Sequence, residues 1–336
     1  MVKIALNGYG RIGRAFHRIA INRGMNNIIA INSRSSAQSH AHLLKYDTVY
    51  KRVKNGKVRV VNDNEIDVNG QRIKVFVDKD PGEIDWKGLG VDIVVEATGK
   101  FKDEQSCRAQ IEAGAKKVVI SAPGKGEMLS VIMGVNDADY KADKHHVISN
   151  ASCTTNALAL VIKVLQEEFG ITRAYLTTIH AITNSQNLLD ASHKKNLRLA
   201  RAAFANLIPS STGASRAIIN FFPELEGRID AVSMRVPLPT VSLIDLSVNL
   251  KKKAKADRVN EAFKKYSKGS LSKYLGFTDE ALVSSDFIGE EKTAVVDSQL
   301  TKVIDTRLVK VFAWYDNEWG YTQRLTDLVE MVSKKL

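Results

Sequence analysis

The sequence predicts an α/β chain of two domains, a doubly wound parallel sheet followed by an α+β domain whose sheet is mostly antiparallel. Three observations predict it. Short apolar runs alternate with helical patterns through the first half of the 336 residues, and a glycine-rich turn, Gly8-Tyr9-Gly10-Arg11-Ile12-Gly13, joins the first strand pattern to the first helical one. Beyond Ala151 the runs lengthen and alternate apolar with polar side chains, the pattern of half-buried strands.

Residues 2–6 read as the first strand, and 28–32, 92–96, 117–121, 130–133 and 146–149 as further buried strands, each a β-rich apolar run of strand length. Residues 11–21, 37–45 and 103–113 carry helical apolar spacing between them. Strands that alternate with helices are covered on both faces and therefore pair in parallel. Residues 51–76, rich in Val, Asn, Lys and Gly, interrupt this plan as antiparallel hairpins. Residues 154–169 form a long helix closed by Gly170, which adopts the left-handed closing position without a Cβ clash. Residues 173–182, 229–236, 241–250 and 307–314 supply the second sheet, and 317–336 a last amphipathic stretch. The division expected is 1–152 and 153–316, with 317–336 packing back on the first domain. No internal repeat or low-complexity segment is visible.

Composition narrows the function classes. The net charge of +12 favours anionic partners at long range, and phosphorylated metabolites and nucleic acid both qualify. The basic residues are scattered, and the one dense run, 251–255, lacks aromatic neighbours, so it reads as a solvated loop and nucleic acid is not expected as the main partner. Two cysteines, Cys107 and Cys153, make neither a disulfide framework nor a metal cluster, so no metal is expected. No apolar run approaches the roughly 20 residues that cross a bilayer. The first residues run directly into a strand pattern instead of a leader pattern, so a cytoplasmic location is expected.

The glycine turn points to a Rossmann-type dinucleotide site. Gly8 allows the tight turn, Gly10 lets a pyrophosphate approach the backbone, and Gly13 permits close helix packing, while the helix start offers free N–H donors. A protein that binds NAD usually carries a carboxylate about 20 residues further on, for the ribose 2′-hydroxyl. Here the second strand ends in Asn32-Ser33-Arg34-Ser35-Ser36. No carboxylate is present to repel a 2′-phosphate, and Ser33 and Arg34 can hold one, which favours NADP and leaves NAD open.

Cys153 lies in Ser149-Asn150-Ala151-Ser152-Cys153-Thr154-Thr155-Asn156, where a buried strand gives way to the longest helix. A thiol at a helix start feels the positive end of the helix dipole, and the domain junction is where clefts form. Cys107, inside an amphipathic helix, reads as a small buried hydrophobe. A thiolate nucleophile needs a base, and His180 closes an alternating strand in the second domain.

These residues carry a resemblance over essentially the whole chain. Residues 7–14, 149–156, 177–180, 209–214, 235–237 and 314–321 together resemble glyceraldehyde-3-phosphate dehydrogenase. The resemblance implies that Cys153 attacks the aldehyde, that His180 pairs with the thiolate and then takes the hydroxyl proton, and that inorganic phosphate cleaves the resulting thioester. It implies that Asn317 orients the nicotinamide carboxamide, and that Arg11, Ile12, Lys79, Thr98 and Ser121 join the glycines in the cofactor site. It places the substrate phosphate and the attacking phosphate among Ser152, Thr154, Thr183, Thr212, Gly213 and Arg235. It also implies a homotetramer.

Departures from the family pattern matter. Where many bacterial members carry paired arginines before Ala200, this chain has Arg198-Leu199, so the anion contact falls to Arg198 or Arg201. Ile182-Thr183-Asn184-Ser185 lacks the usual carboxylate, and Ala157 stands where a second cysteine is common. After Asp190 the chain reads Ala191-Ser192 instead of Leu-Pro, similar to photosynthetic members that use NADP, and Ser192 of a neighbouring subunit could meet the 2′-phosphate. Erythrose-4-phosphate dehydrogenase is the alternative within the class, disfavoured because Ser211 to Gly213 keeps the Ser-Thr-Gly run. A non-enzymatic nucleic-acid-binding protein is the alternative from another class.

Overall fold

The computed structural model describes residues 1–336 apart from Asp78, Lys194 and Lys195. The chain divides into two units, the first comprising Met1–Ser152 with Thr322–Leu336, the second Cys153–Tyr321.

In the first unit an eight-stranded sheet runs in the spatial order Val147–Ser149, Lys117–Ile120, Ile93–Glu96, Ile4–Asn7, Ile28–Ser33, Gln71–Val77, Glu65–Val68, Val58–Asn62. The first six pair in parallel and the last two antiparallel. The central strands are buried along their whole length, as expected where helices cover both faces. The helix Arg11–Asn22 follows the first strand, and Ala37–Lys45 and Glu104–Glu112 follow the second and the Ile93–Glu96 strands. Asp103 starts the last of these through a capping box with Ser106.

One sequence expectation is extended here and one corrected. The segment 51–76 forms antiparallel hairpins, and its last strand, Gln71–Val77, also pairs in parallel with Ile28–Ser33 and so joins them to the main sheet. Residues 131–133 are buried but form no strand, and the half-buried Ser130 makes a single bridge to Ser149.

The second unit holds a seven-stranded mixed sheet, ordered Ile208–Ser211, Ile229–Val236, Ile171–Ala181, Ser242–Leu250, Leu308–Tyr315, Ala294–Ile304, Leu275–Thr278. Four of its six pairings are antiparallel. The Ile171–Ala181 and Ile229–Val236 strands are parallel, in a register that sets His180 beside Arg235. The helix Cys153–Phe169 packs on this sheet, all but a few of its side chains buried, and stops at Gly170 with φ +67°. The last helix, Trp319–Ser333, begins where Asp316 Oδ1 accepts the Glu318 and Trp319 amides.

Candidate active site

In the first unit the glycine turn is a cradle that no other residue could make. Gly8 has φ +99°, and a Cβ there would lie 2.5 Å from the Ala97 carbonyl carbon. At Gly13 a Cβ would lie 2.2 Å from the Gly8 carbonyl oxygen, while at Gly10 it would meet nothing within 4 Å. Gly10 is the N-cap of the helix Arg11–Asn22, and no side chain caps it. The turn is therefore tight below and open at Gly10, with backbone donors at the helix start, which fits a pyrophosphate.

Behind the cradle lies a network that sequence reasoning missed. The buried Glu96 carboxylate accepts Asn7 Nδ2 at 2.5 Å, the Thr98 amide at 2.8 Å and Gln110 Nε2 at 3.3 Å, and it also takes the Thr98 hydroxyl. Asn7 Oδ1 accepts Asn32 Nδ2 at 2.9 Å, and Asn32 Oδ1 accepts the Lys79 amide at 3.2 Å. Burial pushes the Glu96 carboxyl up, and these donors hold it back. The polar ends of three neighbouring strands thus fix the backbone at Thr98 and Lys79, two of the expected cofactor residues. Ser33 Oγ accepts the Tyr9 amide at 3.3 Å, tying the third to the glycine turn, and the Ser121 amide donates to the Glu96 carbonyl at 2.9 Å. Arg11 is ion-paired with Asp47. The signal available in sequence was Asn7 and Asn32, polar residues closing otherwise apolar strands.

The second unit brings Cys153, His180, Thr154, Arg235 and Asn317 into one connected group. Cys153 opens its helix, whose first turn holds no acidic residue, so the dipole acts on the thiol unopposed. The preceding residue but one, Ala151, is left-handed at φ +51°, its amide taken by Ser149 Oγ at 2.9 Å. Cys153 Sγ is 3.5 Å from His180 Nε2 and 4.0 Å from Thr154 Oγ1. On the other side of the ring, His180 Nδ1 is 2.7 Å from the Ala181 carbonyl oxygen and 2.6 Å from Arg235 Nη1.

Electrostatics favour the neutral form of both groups. Burial pushes the Cys153 thiol up, against the lowering pull of the Arg235 guanidinium and the Thr154 hydrogen bonds. Burial, with Arg235 adding to it, takes His180 down to about 3. A neutral imidazole is the form that accepts a proton.

Beneath the pair, Tyr315 is buried with its hydroxyl 3.0 Å from Thr154 Oγ1 and 2.8 Å from Thr178 Oγ1. Burial drives its phenol well above the ordinary value. Val241 is buried in a left-handed conformation at φ +68°, which costs a β-branched residue about 1–3 kcal/mol. Its neighbours Thr240 and Ser242 donate to Asp316 Oδ1 at 3.0 Å and Asn317 Oδ1 at 2.9 Å. Tyr315, Thr178 and Ser242 went unnoticed in the sequence because only strand pairing aligns them with Cys153.

The remaining expected anion residues are placed separately. Thr183 Oγ1 is 2.9 Å from Ser185 Oγ, and Thr212 Oγ1 accepts the Ala214 amide at 3.2 Å beside Gly213, whose missing Cβ faces open space. Arg201 is committed to Asp190 at 3.1 Å, whereas Arg198 is exposed at a short 3-10 turn, as is Ser192 on its loop. Cys107 is fully buried and its thiol is pushed up to about 12 by burial. Among the described residues no group of His, Cys, Asp and Glu is arranged to hold a metal, and no helix is long and apolar enough to cross a membrane.

A unit with a parallel sheet and a pyrophosphate cradle, and a second unit built around a thiol and an imidazole, define a dinucleotide-binding oxidoreductase. Residues 2–104 match the glyceraldehyde 3-phosphate dehydrogenase NAD binding domain, and residues 152–317 match the C-terminal domain of the same enzyme. The chain is 46% identical over 337 residues to glyceraldehyde-3-phosphate dehydrogenase 2 of Trichormus variabilis, covering 100% of this chain and 99% of that one. It is 47% identical to glyceraldehyde-3-phosphate dehydrogenase 2 of Bacillus subtilis, covering 100% and 98%, and 46% identical to the Geobacillus stearothermophilus enzyme, covering 99% of each. The chain belongs to the glyceraldehyde-3-phosphate dehydrogenase family.

Proposed function

We propose that this chain catalyses the reversible, phosphorylating oxidation of glyceraldehyde 3-phosphate to 1,3-bisphosphoglycerate, with Cys153 as nucleophile and His180 as base. The observation that carries the reading is the 3.5 Å approach of Cys153 Sγ to His180 Nε2. When bound, a nicotinamide dinucleotide supplies the hydride acceptor. Gly8, Gly10, Arg11, Ile12, Gly13, Lys79, Thr98 and Ser121 would hold it, with Asn317 at the carboxamide. His180 Nε2 takes the thiol proton, passes it to the aldehyde oxygen as the sulfur–carbon bond forms, and takes it back from the hydroxyl at the oxidation step. The thioester left on Sγ is cleaved by inorganic phosphate, with the thiolate departing to regenerate the site. Ser152, Thr154, Thr183, Thr212, Gly213 and Arg235 bind the two phosphates, with Arg198 as the added cation, since Arg201 is already paired with Asp190.

NADP is the preferred cofactor on this reading, with NAD a usable second. Ser33 and Arg34 offer a hydroxyl and a guanidinium where a carboxylate would repel a 2′-phosphate, and Ser192 of a neighbouring subunit would complete the contact. The protein acts as a cytoplasmic homotetramer; the exposed Leu188, Leu189, Leu197, Phe204 and Leu207 support an assembly that covers this segment. Steady-state turnover of glyceraldehyde 3-phosphate and erythrose 4-phosphate, each with and without inorganic phosphate, tests the activity. Phosphate-dependent turnover of the first is expected; phosphate-independent oxidation, or preference for the second, would transfer the chain to the erythrose enzyme. Kinetics with both coenzymes on the parent and on Ser33→Asp test the cofactor, and equal losses with NAD and NADP refute the preference.

A further inference from the structure

A hydroxyl outside the expected set determines which way the Asn317 amide faces. The Ala181 amide donates to Ser242 Oγ at 3.1 Å, and Ser242 Oγ donates to Asn317 Oδ1 at 2.9 Å. Ser242 and Asn317 are both buried, at 1% and 6% exposure. A hydroxyl has one proton; the Ala181 amide and the Tyr315 hydroxyl can both donate to its lone pairs, whereas Asn317 Oδ1 can only accept, so that proton is directed to Asn317. The amide carbonyl of Asn317 is thereby pinned toward Ser242, and Nδ2 faces away as a donor with no acceptor among the described residues.

Two further features hold the hydroxyl in place. Val241, immediately before it, is locked left-handed and buried against Phe287, Val295 and Trp314. Thr240 on its other side donates to Asp316, whose carboxylate also takes the Gly289, Glu318 and Trp319 amides. The Thr240-Val241-Ser242 segment is thus fastened at two points to the turn that carries Asn317. The same Ala181 that donates to Ser242 offers its carbonyl to His180 Nδ1 at 2.7 Å.

We propose that Ser242 is a positioning residue that fixes the Asn317 amide as a donor toward the nicotinamide carboxamide and joins it mechanically to the His180 backbone. The proposal rests on the placement of Asn317 at the nicotinamide given above. The test pair is Ser242→Thr and Ser242→Val, which match in size and differ in the hydroxyl alone, with Ser242→Ala as a variant that adds no bulk. Dinucleotide affinity by titration calorimetry and exchange of the Ala181 amide proton in the ligand-free protein are the readouts. Binding by Ser242→Val and Ser242→Ala should weaken about fivefold to tenfold relative to Ser242→Thr, as for one lost hydrogen bond, and Ala181 exchange should quicken in both. Asn317→Ala should lose at least as much, with no further loss in the double variant Ser242→Val/Asn317→Ala. Equal binding by the Thr, Val and Ala variants, with Asn317→Ala weakened, overturns the role of Ser242 alone. Unchanged binding by Asn317→Ala overturns the placement of Asn317 and this proposal together.

Discussion

His180 Nδ1 sits between two partners that demand opposite things of it: the Ala181 carbonyl at 2.7 Å accepts a proton, and Arg235 Nη1 at 2.6 Å donates one. Only one can be satisfied at a time. With Nδ1–H given to the carbonyl, Nε2 is a bare acceptor facing the thiol; with Arg235 donating, the ring proton moves to Nε2 and faces the sulfur as a donor to thiolate.

Arg235 therefore bears on the thiol as well as on the proposed phosphate site. Its charge lowers the Cys153 thiol, so removing it raises that value further and shifts thiolate formation to higher pH. Arg235→Leu should slow alkylation of Cys153 by iodoacetamide at pH 7 by severalfold, because less of the thiol is ionised, with the rate–pH curve displaced to the alkaline side. A curve that stays in place removes Arg235 from the thiol's environment.

Acid should weaken the first unit through two buried histidines. Tyr9 donates its hydroxyl to His17 Nδ1 at 2.6 Å or accepts from it, and the His40 ring stands 5.1 Å from that of Tyr9. Both histidines are buried, and neither ring nitrogen of His40 has a partner among the described residues. Burial takes His17 down to about 3, and burial with Arg14 takes His40 to about 4. Below the ordinary value of 6.5 the unfolded chain binds protons that the folded one refuses. The stability is fully present above that pH and is lost as pH falls toward 4 and 3, at about 1.4 kcal/mol per unit and per histidine. Melting temperature measured from pH 7 to pH 4 should fall less steeply in His40→Leu than in the parent; parallel slopes would sink the assignment.

Glu96 is surrounded by donors alone, so an amide there must turn its NH2 toward one of them. Glu96→Gln should cost about 1–3 kcal/mol of stability, and weaken dinucleotide binding through the backbone at Thr98 and Lys79. Chemical denaturation and calorimetric titration check the two effects; loss of stability with unaltered affinity confines the network to folding.

The two thiols should separate cleanly. Cys107 is inaccessible and its thiol is raised to about 12, so one equivalent of iodoacetamide should modify Cys153 and abolish turnover. Peptide mapping by mass spectrometry reads the site. Cys107→Ala should keep activity at a cost of about 1 kcal/mol for the lost sulfur.

Local patterns made the first sheet readable, because parallel strands buried on both faces are continuous apolar runs. Residues 130–133 show the limit of that signal: Val131 and Ile132 are fully buried without a ladder, so burial alone does not make a strand. The strand Ala294–Ile304 escaped notice because Asp297, Ser298 and Gln299 interrupt its apolar residues where the register shifts. Cys153 and His180 were legible from residue type and setting. Tyr315, Ser242 and the contact of Arg235 with the ring were not, since each depends on pairing between strands remote in sequence.

His180 and Arg235 are lateral neighbours on adjacent parallel strands, so their spacing is set by the ladder and not by the length of the chain that separates them. Changes of length around the exposed Leu188, Leu189 and Leu197 should leave the imidazole and guanidinium where they stand, whereas the strand Ile208–Ser211, which pairs Ile208 with Arg235, belongs to the ladder. A single-residue slip of either strand would turn one of them to the opposite face. Engineering of coenzyme or partner preference is thus best confined to the exposed part of that stretch, whereas the paired strands tolerate substitution without tolerating a change of length.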